Sequence, residues 1–194
     1  MKSQFVREWT TGRLFVVLNS KQDIRLEVKQ FQHNVDEVEA IAERIQNWHL
    51  FQTSKKLAFY FAMKDEVSLD FLFESGKELF LPRFEVNYKK YEMCLVSNKD
   101  ELVVGEYGIK EPGKQCRIVE INEIDLWFIP GMAFSRLGHR LGRGAGFYDR
   151  LLENEGGLKC GVCISRKIIE GIPAESHDIK MNFVLTDKEI ITIN

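Results

Sequence analysis

The clearest hydrophobic pattern in the chain is a stripe of apolar residues that begins after residue 20. Its members recur at alternating steps of three and four, the spacing of a helix face packed on a core. They are Ile24, Val28, Phe31, Val35, Val38, Ile41, Ile45 and Trp48. Asn34 followed by Glu37 has the pattern of a capping box, which marks a helix start. The stripe therefore predicts two consecutive helices rather than one.

Short apolar runs alternate with helical patterns after this stripe. Strands are predicted at 56–62, 78–81, 125–129, 160–164, 181–185 and 190–193, the second of them ending at Pro82. Helices are predicted at 67–75 and 147–154, and segments 91–97 and 101–104 resemble a hairpin-type pair. This alternation favours an α/β fold, a three-layer α/β/α sandwich with a mostly parallel, Rossmann-like sheet. Because ligands of such sheets gather at the carboxyl ends of strands, the loop after Ile129 is the first candidate site.

Composition agrees with an ordinary globular protein that buries a sizeable core. The chain has 194 residues, of which 44% are hydrophobic and 29% charged. Its formal net charge of -2 gives no electrostatic footprint for nucleic-acid or membrane binding. The apolar run 14–18 is too short for a signal core or a membrane span. We interpret residues 1–20 as an atypical N-terminal extension and residues 21–194 as a single domain.

Four cysteines raise the question of a redox or metal site. Cys160 and Cys163 form the one CxxC pattern, but it lies in a predicted buried strand. Residues three apart in a strand face opposite sides, so these thiols are expected to pack in the core rather than act together. Without a disulfide framework or a secretory leader, we expect a cytoplasmic protein.

The segment 130–150 carries the strongest chemical signal. Its glycines Gly142, Gly144 and Gly146 permit backbone torsions and close approaches that a side chain would block. Successive N–H groups in such a loop can converge on phosphate oxygens, and Arg140 and Arg143 add positive charge. The spacing matches neither the dinucleotide fingerprint nor the P-loop. It favours a nucleotide phosphate, with a flexible glycine-rich surface turn as the alternative.

Two aspartates extend this interpretation. Asp149 falls in the first turn of the helix predicted after the glycines, where a carboxylate also suits the helix dipole. A carboxylate beside a triphosphate would be repelled unless a cation lay between them, and Mg²⁺ bridges phosphates and one or two carboxylates. Asp178 is the candidate second ligand.

Segments 129–134 and 138–150 closely resemble the signature of 5-formyltetrahydrofolate cyclo-ligases. Weaker matches follow the order of that family at 21–25, 54–66, 81–83, 108–112, 172–173 and 177–178. The resemblance runs from about Lys21 to the C-terminus. It implies an enzyme that converts 5-formyltetrahydrofolate into 5,10-methenyltetrahydrofolate, with ATP as co-substrate and Mg²⁺ as cofactor. We expect no nucleic-acid or membrane partner, and a monomer or a weak homodimer.

The resemblance also implies roles for individual residues. Those implied for ATP are Lys21, Gln22, Asp23, Ile24, Arg25, Arg140, Leu141, Gly142, Arg143, Gly144, Ala145, Gly146, Phe147 and Tyr148. Those implied for the folate are Met63, Glu66 or Ser68, Arg143, Gly144, Ala145, Gly146 and Phe147. Asp149 and Asp178 would hold Mg²⁺, and Arg140, Arg143 and Asp149 would be catalytic.

Four positions depart from the family pattern, and tyrosine is common where Arg143 and Phe147 stand. Lys167 stands where a glutamine is usual, and Ser68 where an acidic residue often falls. These departures leave open a catalytically silent relative of the same fold that binds folate or nucleotide. A different small-molecule phosphotransferase with the same phosphate loop is a second alternative. Whether the protein binds reduced folate, and whether it consumes ATP in response, distinguishes the cyclo-ligase from these two alternatives.

Overall fold

The computed structural model describes residues 7–10, 13–16, 20–88, 90–105, 108–120, 123–153, 156–175 and 178–194, with side chains from residue 20 onward. In the N-terminal extension, β1 (Arg7–Thr10) and β2 (Arg13–Val16) pair antiparallel with each other. The apolar run 14–18 is therefore partly strand, and its last two residues lie outside the described residues. The division of the chain into an extension, residues 1–20, and a domain, residues 21–194, stays a prediction.

The body of the molecule is built on one central sheet. The remaining strands are β3 (Lys56–Ala58), β4 (Glu78–Glu85), β5 (Lys90–Val96), β6 (Leu102–Val104), β7 (Lys110–Pro112), β8 (Leu126–Pro130), β9 (Ala133–Phe134), β10 (Arg140–Leu141), β11 (Leu158–Val162), β12 (Phe183–Leu185) and β13 (Ile190–Thr192). Seven of them lie side by side in the order β13-β12-β11-β8-β3-β4-β5. The inner neighbours are parallel, and the outer pairs β12–β13 and β4–β5 are antiparallel. This confirms the mostly parallel sheet.

The helical stripe divides where the capping box predicted. The helices are α1 (Lys21–Val28), α2 (Val35–Gln46), α3 (His49–Thr53) and α4 (Phe147–Leu152). At the start of α2, the Glu37 N–H donates to Asn34 Oδ1 at 2.9 Å and the Asn34 N–H donates to Glu37 Oε2 at 3.0 Å. Each residue thus satisfies a backbone donor that the helix itself cannot.

Alternating side chains of β8 join the helices to the two faces of the sheet. Leu126 and Phe128 pack into a buried cluster with residues of α2 and α3. Trp127 and Ile129 point the other way, into a second cluster with residues of α4. All four side chains are buried, as expected for a strand covered on both faces. The three-layer arrangement follows from this alternation.

Four local predictions are wrong, the first being the strand expected at 56–62, which ends at Ala58. Strand β4 continues through Pro82 to Glu85, because β3 pairs only with residues 78–80 and leaves the rest of β4 bonded to β5 alone. Proline is tolerated where one side of a strand has no ladder. Segments 91–97 and 101–104 do not pair, since β5 lies against β4 and β6 against β7. The helix expected at 67–75 is a short 3₁₀ helix, Asp70–Glu74.

The cysteines pack as expected. Cys160 belongs to the cluster on the α2 face and Cys163 to the cluster on the α4 face. Both are fully buried free thiols, and burial raises the pKa of each. Two thiols on opposite faces of the sheet cannot share a metal or form a redox pair.

Phe134 joins the segment after β8 to the sheet. Its ring occupies the space in which Gly131 and Gly161 would carry side chains. A Cβ at Gly161 would lie 2.3 Å from Phe134 Cε1, and one at Gly131 would lie 2.7 Å from Phe134 Cζ. Phe134 is fully buried, so it cannot move aside without opening a void. These contacts fix the start of the glycine-rich segment against β11.

Candidate active site

The glycine-rich segment begins as a tight hairpin and ends as a helix. Strand β10 pairs with β9, with Arg140 opposite Phe134, so Arg140 and Leu141 are buried. After them the chain turns through Gly144 at φ 103° and Gly146 at φ 65° before α4 begins. Both torsions are ones that glycine adopts without strain. The hairpin holds Arg140 and the glycines let the chain turn back over it.

The segment borders a cavity of about 460 Å³. The residues that follow β3 and β8 line it, so the cavity lies at the carboxyl ends of parallel strands, as expected. Predicted site residues in the lining are Lys21, Arg25, Met63, Glu66, Arg140, Leu141, Gly142, Arg143, Gly144, Ala145, Gly146, Phe147, Tyr148, Asp149 and Asp178. The structure thus brings together segments more than 150 positions apart in the chain.

Four predicted site residues do not line this cavity. The Ile24 side chain is fully buried in the core beneath α1, and Gln22 is exposed. Asp23 accepts a hydrogen bond from Ser20 Oγ at 2.7 Å and lies in the first turn of α1. Ser68 Oγ accepts from the Asp70 N–H at 3.3 Å. Between the two alternatives for the folate, Glu66 borders the cavity and Ser68 does not.

Arg140 and Asp149, predicted separately, form one ion pair. Arg140 Nη2 donates to both Asp149 oxygens at 2.9 Å, and the Arg140 side chain is only 6% exposed. Its Nε is the single buried side-chain nitrogen or oxygen without a hydrogen-bond partner among the described residues. The guanidinium also lies 5.5 Å from the Tyr148 ring centroid. Arg140 therefore retains a donor for a further acceptor.

Lys21 pairs with the other predicted metal ligand. Its Nζ lies 2.8 Å from Asp178 Oδ2 and 3.1 Å from Glu175 Oε1. Burial lowers the pKa of Lys21, but hydrogen bonds to Asp178 and Glu175 outweigh it, so the pKa is raised. Each predicted metal carboxylate thus faces a predicted phosphate-binding cation.

Arg25 anchors the glycine-rich segment to α1. Its Nε donates to the Gly142 carbonyl at 2.9 Å. The guanidinium also lies 3.6 Å from the position that a Cβ on Gly144 would take. We call Lys21, Arg25, Arg140, Asp149 and Asp178 the charged lining.

Arg143 reaches across the cavity to the turn after β3. Its Nη2 donates to Asp65 Oδ1 at 2.6 Å and to Glu66 Oε1 at 3.1 Å. Burial raises the pKa of Asp65, but its hydrogen bond to Arg143 is decisive and the pKa is lowered. Glu66 Oε2 accepts from the Met63 N–H at 3.0 Å, so the Glu66 carboxylate is held by two partners.

Four aromatic side chains form another part of the wall, which we call the aromatic lining: Phe84, Tyr91, Phe147 and Tyr148. The Phe147 ring contacts those of Phe84 and Tyr91 edge to face, at centroid distances of 5.1 and 5.4 Å. Edge-to-face geometry is favourable for aromatic quadrupoles. Strands β4 and β5 and helix α4 thus present one packed group of rings to the cavity.

Sequence reasoning missed several residues of the wall. Glu111 lines the cavity, and its Oε2 accepts from the Phe84 N–H at 3.1 Å. In the sequence, Glu111 lies in the weak family match at 108–112, to which no role was assigned. Tyr60 also lines the cavity, donates to the Val67 carbonyl at 2.8 Å, and has a pKa raised by burial. Glu175 was visible only as a neighbour of Asp178.

The carboxylates suit one kind of metal site. Within the described ranges, no group of three or more histidine, cysteine or acidic residues could hold an ion unaided. Asp149 and Asp178 both line the cavity, with side chains 20% and 13% exposed. Mg²⁺ commonly takes one or two carboxylates and its other ligands from phosphates and water, and both aspartates are ligands of that type.

None of the described helices is both long enough and apolar enough to cross a membrane.

Comparison with known proteins gives a consistent result. The sequence profile of the 5-formyltetrahydrofolate cyclo-ligase family matches residues 17–187. The chain is 33% identical over 183 residues to the 5-formyltetrahydrofolate cyclo-ligase of Mycolicibacterium smegmatis, covering 87% of this chain and 94% of that protein. It is 26% identical over 193 residues to the mouse enzyme, covering 88% and 95%. The NMR structure of 5,10-methenyltetrahydrofolate synthetase from Aquifex aeolicus superposes with a TM-score of 0.80 and 34% identity, covering 90% and 93%.

Proposed function

This chain belongs to the 5-formyltetrahydrofolate cyclo-ligase family, and from that premise we propose that it converts 5-formyltetrahydrofolate to 5,10-methenyltetrahydrofolate with ATP and Mg²⁺. The observation that carries the proposal is the composition of one cavity. Paired cations and carboxylates lie beside the glycine-rich segment, and rings packed edge to face form, with Glu66, another part of the same wall. A polyanion and a flat ring system fit these two kinds of lining.

The proposed chemistry begins with activation of a poor leaving group. The formyl oxygen of the substrate forms a bond to the γ-phosphorus of ATP as the bond to the β-phosphate oxygen breaks, and ADP leaves. N10 then attacks the formyl carbon, the carbon–oxygen bond breaks with loss of phosphate, and N10 loses its proton. Such phosphoryl transfer needs positioning and charge neutralisation rather than a covalent nucleophile.

In this proposal, the charged lining and Arg143 neutralise the charge of the phosphates. Arg140 and Arg143, together with the N–H groups of residues 142–146, bind the transferring phosphoryl group and stabilise its charge. Lys21 and Arg25 contact the phosphates further along the nucleotide. Asp149 and Asp178 would hold Mg²⁺, which supplies charge stabilisation at the phosphate oxygens.

The ion pairs of the charged lining must break before its cations can turn to the phosphates. In the described structure, Arg140 is bonded to Asp149 and Lys21 to Asp178. If the two cations turn to phosphate, Asp149 gives up its bonds to Arg140 and Asp178 gives up its bond to Lys21, which is costly in a partly buried site. Asp149 and Asp178 would regain a positive partner from Mg²⁺ bound together with the nucleotide. We therefore infer an exchange of partners in which metal and nucleotide bind together.

The aromatic lining and Glu66 would bind the folate. Phe147 offers a ring face or edge to the pterin, and Glu66 offers carboxylate oxygens to its N–H groups. Met63 contributes an apolar contact at the same turn. Arg143 lies between the two ligands because it joins the glycine-rich segment to Glu66.

The test is to follow the near-ultraviolet absorbance of the methenyl product with purified protein, 5-formyltetrahydrofolate, ATP and Mg²⁺. We expect the band to grow only when all three are present, with one ADP released for each product formed. Tight folate binding without any growth would identify a catalytically silent relative instead. ATP consumption that ignores folate would identify a different phosphotransferase.

A further inference from the structure

Lys167 is a buried cation that the proposed chemistry does not use. The residue is 4% exposed and ends a 3₁₀ turn, Ser165–Lys167, that follows β11. Its Nζ donates to the Asp65 carbonyl at 2.7 Å, across 102 positions of the chain. Lysine is rarely buried unless it is paired, so this contact requires an explanation.

The turn that carries Lys167 is firmly anchored. The Ser165 N–H donates to Asp187 Oδ1 at 2.5 Å, and its hydroxyl donates to Asp187 Oδ2 at 3.1 Å. The Lys167 N–H donates to the Ile164 carbonyl at 2.9 Å. The Ile169 N–H, two residues on, donates to the Phe134 carbonyl at 2.8 Å. Lys167 therefore extends from a fixed base.

The segment that Lys167 contacts is the one that presents Glu66 to the cavity. Residues 63–66 form a turn in which the Glu66 N–H donates to the Met63 carbonyl at 2.9 Å. The carboxylates of Asp65 and Glu66 both accept from Arg143. A second, much smaller cavity touches Lys167 and shares Glu66 with the main one. The Lys167 ammonium thus supports this turn at the Asp65 carbonyl, while the Asp65 and Glu66 carboxylates hold Arg143.

We propose that Lys167 is a positioning residue for folate binding, which holds the 63–66 turn so that Glu66 meets the substrate in a fixed orientation. This inference rests on the proposed function, because it assigns the folate to the side of the cavity that carries Glu66. Lys167 does not line the main cavity and has no direct contact with the ligand in this scheme. It acts through the Asp65 carbonyl.

The surroundings of Lys167 make the ammonium expensive to keep. Charged and titratable neighbours are Asp65, Glu66, Arg143, Cys163 and His33. Burial lowers the pKa of Lys167 despite the nearby carboxylates, so desolvation outweighs their attraction. A methionine has similar length and packs without this cost. A residue kept for packing alone would gain nothing from the charge.

The experiment compares Lys167→Met and Lys167→Gln with wild type and with Arg166→Met. Methionine removes the donor, and glutamine restores a neutral donor on a shorter side chain. The neighbouring Arg166 pairs with Glu37 of α2, at 2.8 Å, and does not line the main cavity, so it is the matched loss of a cation. For each protein, KM for 5-formyltetrahydrofolate, KM for ATP, kcat and Tm are measured.

For Lys167→Met we expect KM for the folate to rise roughly tenfold, as for loss of one buried hydrogen bond to an ordered segment. The KM for ATP, kcat and Tm should stay near wild type. Lys167→Gln should recover part of the folate affinity. Arg166→Met, in contrast to Lys167→Met, should lower Tm slightly and leave both KM values unchanged.

An unchanged folate KM in a folded Lys167→Met would overturn the proposal. So would a fall in kcat and Tm with both KM values altered alike, because that is the result of a general structural defect. Calorimetric titration of 5-formyltetrahydrofolate into the same proteins separates this inference from the proposed activity. If wild type binds folate but makes no product, the activity fails, and the Lys167 comparison of dissociation constants still decides the inference.

Discussion

The charged lining and the aromatic lining share one cavity but are held together in different ways. The charged lining is held by ion pairs, such as Lys21 with Asp178 across 157 positions of the chain, and by the bond from Arg25 to the Gly142 carbonyl. The aromatic lining is held by contacts between rings, most of them edge to face, such as Phe147 against Tyr91. In our proposal, ligands must replace the partners of the first group and only need to contact the second. The charged lining should therefore control turnover and the coupling between metal and nucleotide binding. The aromatic lining should control affinity for the folate.

The strongest test of this contrast is Asp149→Asn. The amide keeps the shape of the side chain but removes the charge that pairs with Arg140 and would hold Mg²⁺. We expect kcat to fall roughly 10²- to 10³-fold, the range for losing a group that stabilises developing charge. Steady-state kinetics gives the value, and Asp70→Asn, which breaks a surface pair with Lys99, is the control. A folded Asp149→Asn with near-normal turnover would remove Asp149 from this role.

Gly142→Ala tests whether the Arg140 geometry matters at fixed charge. The added Cβ would lie 2.7 Å from Arg140 Nη1, so the guanidinium must shift, and its bonds to Asp149 are disturbed. Misplacing a catalytic group by about 1 Å can reduce kcat by about a hundredfold, and we expect a loss of that order. Gly171→Ala is the matched control, because a Cβ there meets nothing within 4 Å. Equal kinetics for the two variants would contradict the role of the Arg140 orientation.

The exchange of ion partners predicts coupling between metal and nucleotide. Calorimetric titration of a non-hydrolysable ATP analogue should show roughly tenfold or greater tightening when Mg²⁺ is added, within the usual range for coupled sites. In Lys21→Met, Asp178 has lost its Nζ partner before any ligand binds, so part of this coupling should disappear. Equal analogue affinity with and without Mg²⁺ would rule the exchange out.

Phe147→Leu tests the role of the aromatic lining in folate affinity. Leucine keeps apolar volume but loses the edge-to-face contacts with Phe84 and Tyr91. We expect KM for 5-formyltetrahydrofolate to rise roughly three- to tenfold, since each aromatic pair adds modestly beyond its buried area. KM for ATP should change little, and a proportional change in both constants would argue against separate linings.

The smallest expected effect is a pH dependence of stability at Lys167. Because its pKa is lowered in the folded protein, the unfolded chain binds more protons between the lowered and the ordinary lysine pKa. Wild type should therefore gain stability relative to Lys167→Met as pH rises through that interval. Urea unfolding of both proteins from neutral to alkaline pH measures the difference, and a constant or widening deficit of wild type would contradict the assignment.

Local rules in the sequence accounted for the fold well, and long-range pairing is where they failed. The capping box at Asn34 and the opposite faces of the CxxC thiols follow from neighbours three residues apart. The extension of β4 through Pro82 depends on which strand lies on its other side, information that no local window holds. The pattern also gave no sign that β6 would pair with β7.

The same limit applies to the candidate site. The glycines and the family signature located the cavity, because residue type and spacing carry that information. The sequence treated Arg140, Asp149 and Lys21 as separate ligand-binding groups, whereas the structure pairs them with one another or with Asp178. Ile24 and Ser68 were grouped with their neighbours, yet the fold turns their side chains away from the cavity lining.

The packing of Phe134 against Gly131 and Gly161 has a consequence for how related sequences can diverge. A larger residue at either glycine is incompatible with the phenylalanine ring, and a smaller residue at 134 leaves a void that such a change could fill. These three positions should therefore vary as a unit, with strong epistasis in a double-mutant cycle of Gly161→Ala and Phe134→Leu. Libraries that diversify the neighbouring loop will retain folded members most often when this trio is left intact.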